Sequence, residues 1–78
     1  MARKRKKEDR LRQIHRWLKA SYPTPYPTKL ILIRGKKRRS DQGWVMLEKR
    51  VLVIRIDTKY PLYCGIDTLL HEYAHAMA

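Results

Sequence analysis

The sequence predicts an α+β domain, in which an N-terminal helix precedes a three-stranded, mostly antiparallel sheet and a second helix follows it. Over residues 8–21, apolar side chains recur at the spacing of an amphipathic helix. Three short runs, 29–34, 44–47 and 51–56, are rich in β-branched and aromatic residues, which favour strands. A largely apolar helical pattern over residues 67–78 comes last.

The N-terminal helix is identified by an apolar stripe of Leu11, Ile14 and Leu18. Ahead of it, residues 1–7 form a basic tail, which is either disordered until an anion orders it or the solvated start of the helix. The prolines of segment 22–27 cannot continue a helix, so this segment is predicted to be an extended connector. A proline-rich ligand for a partner domain is the less favoured interpretation, because the segment is short.

The strand region has three further features. The run 29–34 is apolar on both faces, which predicts a strand that is covered on both sides. The polar residues 48–50 predict a tight hairpin, and Arg55 between two isoleucines predicts an exposed face on the last strand. Residues 59–65 are expected to form a loop, and Asp67 or the residue before it is expected to cap the last helix.

Composition limits the kind of protein. At 78 residues the chain has room for one small domain, and its formal net charge of +12 favours polyanionic partners, chiefly nucleic acid. The single cysteine excludes an internal disulfide and fits a reducing cytoplasm. No signal peptide or membrane-span pattern is present, so we expect a cytoplasmic protein without a membrane partner. The predicted organisation is the basic tail, 1–7, followed by one domain, 8–78.

The last helical pattern contains two histidines four residues apart, in the order His71-Glu72-Tyr73-Ala74-His75. Residues at this spacing share one helix face, so His71 and His75 can bind one Zn²⁺ ion at about 2.0–2.1 Å from each nitrogen. Glu72 lies about 100° round the helix, from where its carboxylate can take a proton from a zinc-bound water. This is the chemistry of a zinc hydrolase, most often a peptidase.

The competing interpretation of this helix is an ordinary core helix with hydrogen-bonded histidines. It is less favoured because two histidines and a glutamate seldom occur at these fixed offsets by chance. The neighbouring side chains are uncharged, which predicts a helix that is buried except at its site. The predicted site residues are Glu72 as the catalytic residue and His71 and His75 as metal ligands.

Other residues with suitable chemistry are interpreted conservatively. His15 lies beside the apolar stripe and is expected to be a surface or packing residue rather than a ligand. Cys64 lies seven residues before the first motif histidine and is expected to be a small buried thiol rather than a ligand. Three tyrosines are interpreted as packing residues, with donation to an oxyanion as the alternative for a phenol near a metal: Tyr60, Tyr63 and Tyr73.

Two clusters of cations are candidates for contacts with DNA phosphates. One lies in the N-terminal tail and the other in the polar, turn-rich segment after the first strand. The alternative for each is a solvated surface. The candidate residues are Arg3, Lys4, Arg5, Lys6, Lys7, Lys36, Lys37, Arg38 and Arg39.

With this motif and this order of elements, the chain resembles the zincin metallopeptidases, and most of all their small SprT-like members, including those of phages and other mobile elements. The likeness lies in residues 66–76, the preceding hairpin and the 63–65 turn. It implies a partial zincin-like domain with a Zn²⁺ cofactor bound by the two histidines and Glu72 as general base. It also implies a protein or peptide substrate held in extended form by an edge strand, with DNA-bound proteins as one candidate class.

The same resemblance implies a third zinc ligand beyond the motif helix, whereas three residues follow His75 here. We therefore expect the N-terminal part of a longer domain, inactive or nearly so by itself. The metzincin branch is disfavoured, because Ala78 stands where that branch has glycine. Two alternatives stay open: a small basic nucleic-acid-binding protein whose motif helix is structural or vestigial, and an ImmA/IrrE-type zincin that cleaves a repressor.

Overall fold

The computed structural model describes residues 2–34 and 42–78, with side chains from Lys6 onward in those ranges. The chain forms a helix, three strands and a second helix, as predicted. These elements are α1 (Ala2–Ser21), β1 (Thr28–Ile33), β2 (Gly43–Glu48), β3 (Val51–Asp57) and α2 (Leu62–Met77). The α+β class and the order of elements are therefore confirmed.

The three strands form one sheet in the order β1–β3–β2, with β3 in the centre. β3 runs parallel to β1, with Leu30 opposite Ile54, and antiparallel to β2, with Val45 opposite the same residue. The sheet is thus mixed, with one pairing of each kind, rather than mostly antiparallel. The last strand thus lies between the first two, antiparallel to β2, its hairpin partner, and parallel to β1.

The hairpin between β2 and β3 is tight, as predicted. Lys49 and Arg50 form its turn and have positive φ angles of 49° and 67°. Two successive residues with positive φ give a turn whose twist matches that of the flanking strands. A side chain resists this conformation, so the pairing of the two strands must hold the turn in place.

Both helices pack on the same face of the sheet. The core comprises side chains that are almost fully buried, from α1, from the sheet and from α2: Leu11, Leu18, Leu30, Ile54, Ile56, Leu69 and Tyr73. β1 is therefore covered on one side only by a described helix, since Leu30 is buried whereas its neighbours Ile31 and Ile33 are half-buried. The prediction that β1 is covered on both sides is wrong for the described residues.

The opposite face of the sheet carries an ion pair. Arg55 is half-buried, and its Nη1 atom donates to Oε2 of Glu48 over 2.8 Å. Val53 and Asp57 on the same strand are buried. The expected exposed face of β3 is therefore only partly exposed.

α2 begins earlier than the sequence predicts. Its N-cap residue is Pro61, with φ −57° and ψ 158°, so neither Asp67 nor the residue before it caps the helix. Cys64 and Gly65 are helical rather than part of a loop, and Cys64 is half-buried rather than buried. Gly65 tolerates the helix because it lies against α1, where the Leu11 methyl groups are 3.4 Å from the position of a β-carbon. Tertiary packing thus overrides the low helix propensity of glycine.

α2 is less buried than its apolar sequence predicts. Leu69, Tyr73 and Ala76 face the core, whereas Leu70 and Met77 are exposed. α1 begins at Ala2, so the described backbone of the basic tail is the start of this helix rather than a disordered segment. Neither of the two helices in the described residues has the length and apolar character that a membrane crossing requires.

Candidate metal centre

α2 brings two imidazoles together on its exposed face. His71 and His75 are one helical turn apart, their ring centroids are 4.7 Å apart, and the rings are nearly perpendicular. Their Nε2 atoms lie 3.2 Å from each other. Both side chains are exposed, so a ligand can reach both nitrogens from solvent.

This separation fits a shared zinc ion. Two nitrogens at about 2.0–2.1 Å from a tetrahedral Zn²⁺ lie about 3.3–3.4 Å apart, close to the observed distance. The same distance also permits a hydrogen bond between one protonated and one unprotonated ring nitrogen. The two histidines therefore fit two ligand positions of a zinc ion without a change of helix geometry.

A third ligand does not join them within the described residues. Residues 2–34 and 42–78 contain no group of three metal-binding His, Cys, Asp or Glu side chains. Cys64 lies two turns before His71, about 10 Å along the helix axis, which is too far to share the ion. The prediction that Cys64 is not a ligand agrees with this placement.

Glu72 lies beside the histidines, at the edge of a groove between α2 and the beginning of β2. The groove has a volume of about 570 Å³, and His71 and Glu72 are among its lining residues. Glu72 is half-buried. The other described residues that line the groove are Gln42, Gly43, Asp67, Thr68 and Leu70. A carboxylate at the wall of an open groove can meet both water and a bound ligand.

The width of this groove is fixed by Gly43. A β-carbon at this position would lie 2.7 Å from the Arg55 carbonyl oxygen and 2.7 Å from Cγ2 of Thr68. Beside it, the Thr68 hydroxyl donates to Oε1 of Gln42 over 3.0 Å. The sequence motifs do not point to these residues; the one signal for them is a glycine immediately before an apolar strand.

The groove is bounded by a free strand edge. β2 is an edge strand, and the Asp57 N–H donates to the Gln42 carbonyl over 2.8 Å. Because bonding alternates along an antiparallel ladder, Gly43 and Val45 direct their own N–H and C=O groups away from β3. Among the described residues no strand pairs with this edge, so an extended chain that lies along the groove could bind these groups.

Tyr73 points away from the histidines. It lies about 180° round the helix from the midpoint of the pair, and its hydroxyl donates to the carbonyls of Tyr22 at 2.7 Å and Leu18 at 3.3 Å. Burial raises the pKa of Tyr73, and a hydrogen bond with the Thr24 side chain opposes that shift. Tyr73 is therefore a packing residue, as predicted, and is not placed to serve an oxyanion.

The other two tyrosines differ from each other. Tyr60 is half-buried, with the Lys59 ammonium 5.2 Å from its ring centroid. Tyr63 is 74% exposed, so the prediction that it packs in the interior is wrong. The reason is the early start of α2, which places Tyr63 in the first turn on the solvent side.

His15 belongs to the core, as a packing residue rather than a ligand. Its Nε2 atom is 2.9 Å from the Thr28 hydroxyl, and its ring meets Tyr73 edge-on at 6.3 Å. Burial, followed by the positive charges of Lys19 and Arg12, lowers the pKa of His15 from 6.5 to about 4. Because His15 is buried in the core whereas the two motif histidines lie on the exposed face of α2, it is not placed to share their metal ion.

The two predicted cation clusters are only partly described. Lys6 is exposed, whereas the Lys7 ammonium donates to the carbonyls of Thr58 at 2.9 Å and Tyr60 at 3.0 Å. Lys7 thus joins α1 to the loop before α2. The remaining predicted residues lie outside the described side chains: Arg3, Lys4, Arg5, Lys36, Lys37, Arg38 and Arg39.

Comparison with known proteins does not identify the chain. No family of proteins, no curated protein and no solved structure matches it. The interpretation of the site therefore depends on its own geometry and on the resemblance carried by its motif.

Proposed function

We propose that this chain carries the metal-binding helix of a zinc-dependent peptidase, with His71 and His75 as ligands and Glu72 as general base. The observation that carries the proposal is the 3.2 Å separation of the two exposed Nε2 atoms, which suits one zinc ion. Glu72 is half-buried beside them, and its carboxylate could act as a general base at the bound metal.

The division of labour follows from these positions. A bound zinc ion acts as a Lewis acid that polarises a carbonyl and lowers the pKa of water to about 7. Glu72 lies about 100° from His71 and about 60° from His75 around the helix, so its carboxylate faces the space in front of both imidazoles. There it would accept a proton from the attacking water and return it to the leaving amine.

An extended peptide is the substrate that best suits the groove. The outward N–H and C=O groups of Gly43 and Val45 can pair with a peptide backbone, as in other cases of strand addition. Such pairing would bring a peptide carbonyl alongside His71 and Glu72, which line the same groove. Substrate recognition by an edge strand is also what the zincin resemblance implies. A repressor-cleaving zincin would use the same residues and differ only in its substrate.

The first part of the test is metal binding. We expect the purified chain to bind Zn²⁺ weakly, because a catalytic site has three protein ligands and the described residues supply two. Calorimetric titration should show binding that disappears in the His71→Ala/His75→Ala variant. It should persist in Leu70→Ala, a change at an exposed neighbour on the same helix, and in Glu72→Gln. Equal zinc affinity in the parent and the double alanine variant would show that the two histidines do not bind the ion.

The second part is catalysis, measured in a form of the protein that supplies a third ligand. Glutamine keeps the shape of Glu72 but cannot take a proton, so Glu72→Gln should lower peptide cleavage by roughly a hundredfold or more. Zinc affinity and thermal stability should stay near those of the parent. Cleavage that is unchanged by Glu72→Gln would show that the base has been assigned wrongly.

A further inference from the structure

Another concave surface, separate from the histidine site, lies between α1 and the beginning of β1. It is a cleft of about 320 Å³ with four cationic side chains in its lining: Arg12, Arg16, Lys19 and Lys29. The remaining lining residues, His15, Thr28 and Leu30, are uncharged when the histidine is neutral. The cleft therefore concentrates positive charge contributed by two consecutive elements, α1 and β1.

The helix places its three cations in one row. Arg12, Arg16 and Lys19 are four and three residues apart, which puts them on one face of α1 within about 60° of each other. Within the described part of the chain, none of the four cleft cations pairs with a carboxylate. Their charge is thus available to an external anion.

The cleft also reaches the second free edge of the sheet. β1 is an edge strand of the described sheet. The carbonyls of Pro27, just before it, and of Ile33, at its end, accept from the N–H groups of Leu52 and Thr58. Because successive residues of a strand alternate in direction, the Leu30 carbonyl points away from β3. The Arg12 Nη1 atom donates to this carbonyl over 3.4 Å. Through this bond Arg12 joins α1 to β1 at the cleft, and it adds a positive charge there. The lowered pKa of His15, caused partly by Lys19 and Arg12, is consistent with a positive potential there.

We propose that this cleft binds the phosphate backbone of duplex nucleic acid. Arg16, Lys19 and Lys29 are the phosphate contacts, and Arg12 joins α1 to β1 through its hydrogen bond to the Leu30 carbonyl. This inference is independent of peptide hydrolysis and of the metal ligands. The cations of α1 extend over about 10.5 Å of helix axis. That length corresponds to about three phosphates of one strand, which recur every 3.4 Å along the duplex.

The lining indicates backbone contact rather than base recognition. Single-stranded nucleic acid is usually held by aromatic side chains on which bases stack. The described lining of this cleft has no Trp, Tyr or Phe, and its His15 ring is buried. Binding should therefore depend steeply on salt and little on sequence.

The test uses the whole chain with a fluorescein-labelled DNA duplex of about 20 base pairs and measures anisotropy between about 0.05 and 0.2 M salt. EDTA is included so that the histidine site has no part in the result. Arg16→Gln/Lys19→Gln should reduce the slope of log affinity against log salt by about 1.8, because each lost phosphate contact accounts for about 0.9. At about 0.1 M salt this corresponds to roughly 60-fold weaker binding.

The matched control is Arg10→Gln/Lys59→Gln, which removes the same charge from exposed positions outside the cleft. It should change the slope much less than the cleft variant does. Circular dichroism melts check that both variants are folded. Equal losses in the two variants would show diffuse attraction without a site. Binding to phosphatidylserine vesicles without binding to the duplex would show that a lipid surface is the partner. Equal losses in the two variants, or binding to vesicles alone, would overturn the proposal.

Discussion

His15 shows how a single residue joins the two helices and the sheet. Its ring nitrogen meets Thr28 of β1, its edge meets Tyr73 of α2, and it lies on α1. Because it is buried and next to two cations, the folded protein disfavours its protonated form. A histidine with no ligand role thus becomes a source of pH-dependent stability.

The pH dependence has a definite sign. The pKa of His15 is about 4 in the folded protein and 6.5 as the ordinary value, so the unfolded chain binds a proton first as pH falls. The free energy of unfolding should decrease as pH is lowered from about 6.5 to about 4, by about 3 kcal/mol, and the contribution of His15 should then level off. Above pH 6.5 its contribution is fully present.

Urea denaturation across this pH range would measure the effect. His15→Gln keeps a group that can hydrogen-bond Thr28 but does not titrate, so its stability should vary less with pH by that amount. The other two histidines are the same in both proteins and cancel in the comparison. An identical pH profile for His15→Gln and the parent would show that His15 is not the group responsible.

At the scale of elements, the contact between β2 and α2 decides the geometry of the candidate site. The two elements meet where Gly43 lies under Thr68, and the groove opens beside that contact. The hydrogen bond from Thr68 to Gln42 holds the same junction from the polar side. An edge strand and a motif helix are thereby kept at a fixed spacing along the groove.

Gly43→Ala is expected to disturb this junction. Its β-carbon would approach a backbone carbonyl to 2.7 Å, so the strand or the helix must shift. We expect a loss of about 1–3 kcal/mol in the free energy of unfolding, as for other overpacked positions. Zinc binding by the two histidines should persist, because both lie on α2 itself. A Gly43→Ala variant as stable as the parent would contradict the assigned contact.

At the scale of the whole molecule, the excess of positive charge affects stability. A formal net charge of +12 on 78 residues destabilises the compact state through mutual repulsion. The Arg55–Glu48 pair offsets little of this, because partly exposed ion pairs contribute at most about 1 kcal/mol. Stability should therefore depend on the ionic strength of the solution.

Raising sodium chloride from about 0.01 M to 0.15 M shortens the Debye length from about 30 Å to about 8 Å. The melting temperature of the chain should rise over this interval, because screening weakens the repulsion between cations. Arg10→Glu/Lys59→Glu lowers the net charge by four at exposed positions and should reduce the rise. A melting temperature that does not change with salt in the parent would show that repulsion is not a significant cost.

The sequence by itself determined the features that depend on local periodicity. Apolar spacing specified the order helix, three strands, helix, and the four-residue interval between His71 and His75 placed their imidazoles together. The polar residues 48–50 also predicted a tight hairpin, and its turn lies at Lys49 and Arg50. These features arise within a few residues of each other, where helix and strand geometry is nearly fixed.

The tertiary structure decided what depends on contacts between distant segments. Insertion of β3 between β1 and β2 made one pairing parallel, although alternation of side chains is the same in either case. Contact with Leu11 allowed α2 to continue back through Gly65 to Leu62, against the local turn signals. The groove at Gly43 and the basic cleft between α1 and β1 likewise require long-range packing, which no local pattern encodes.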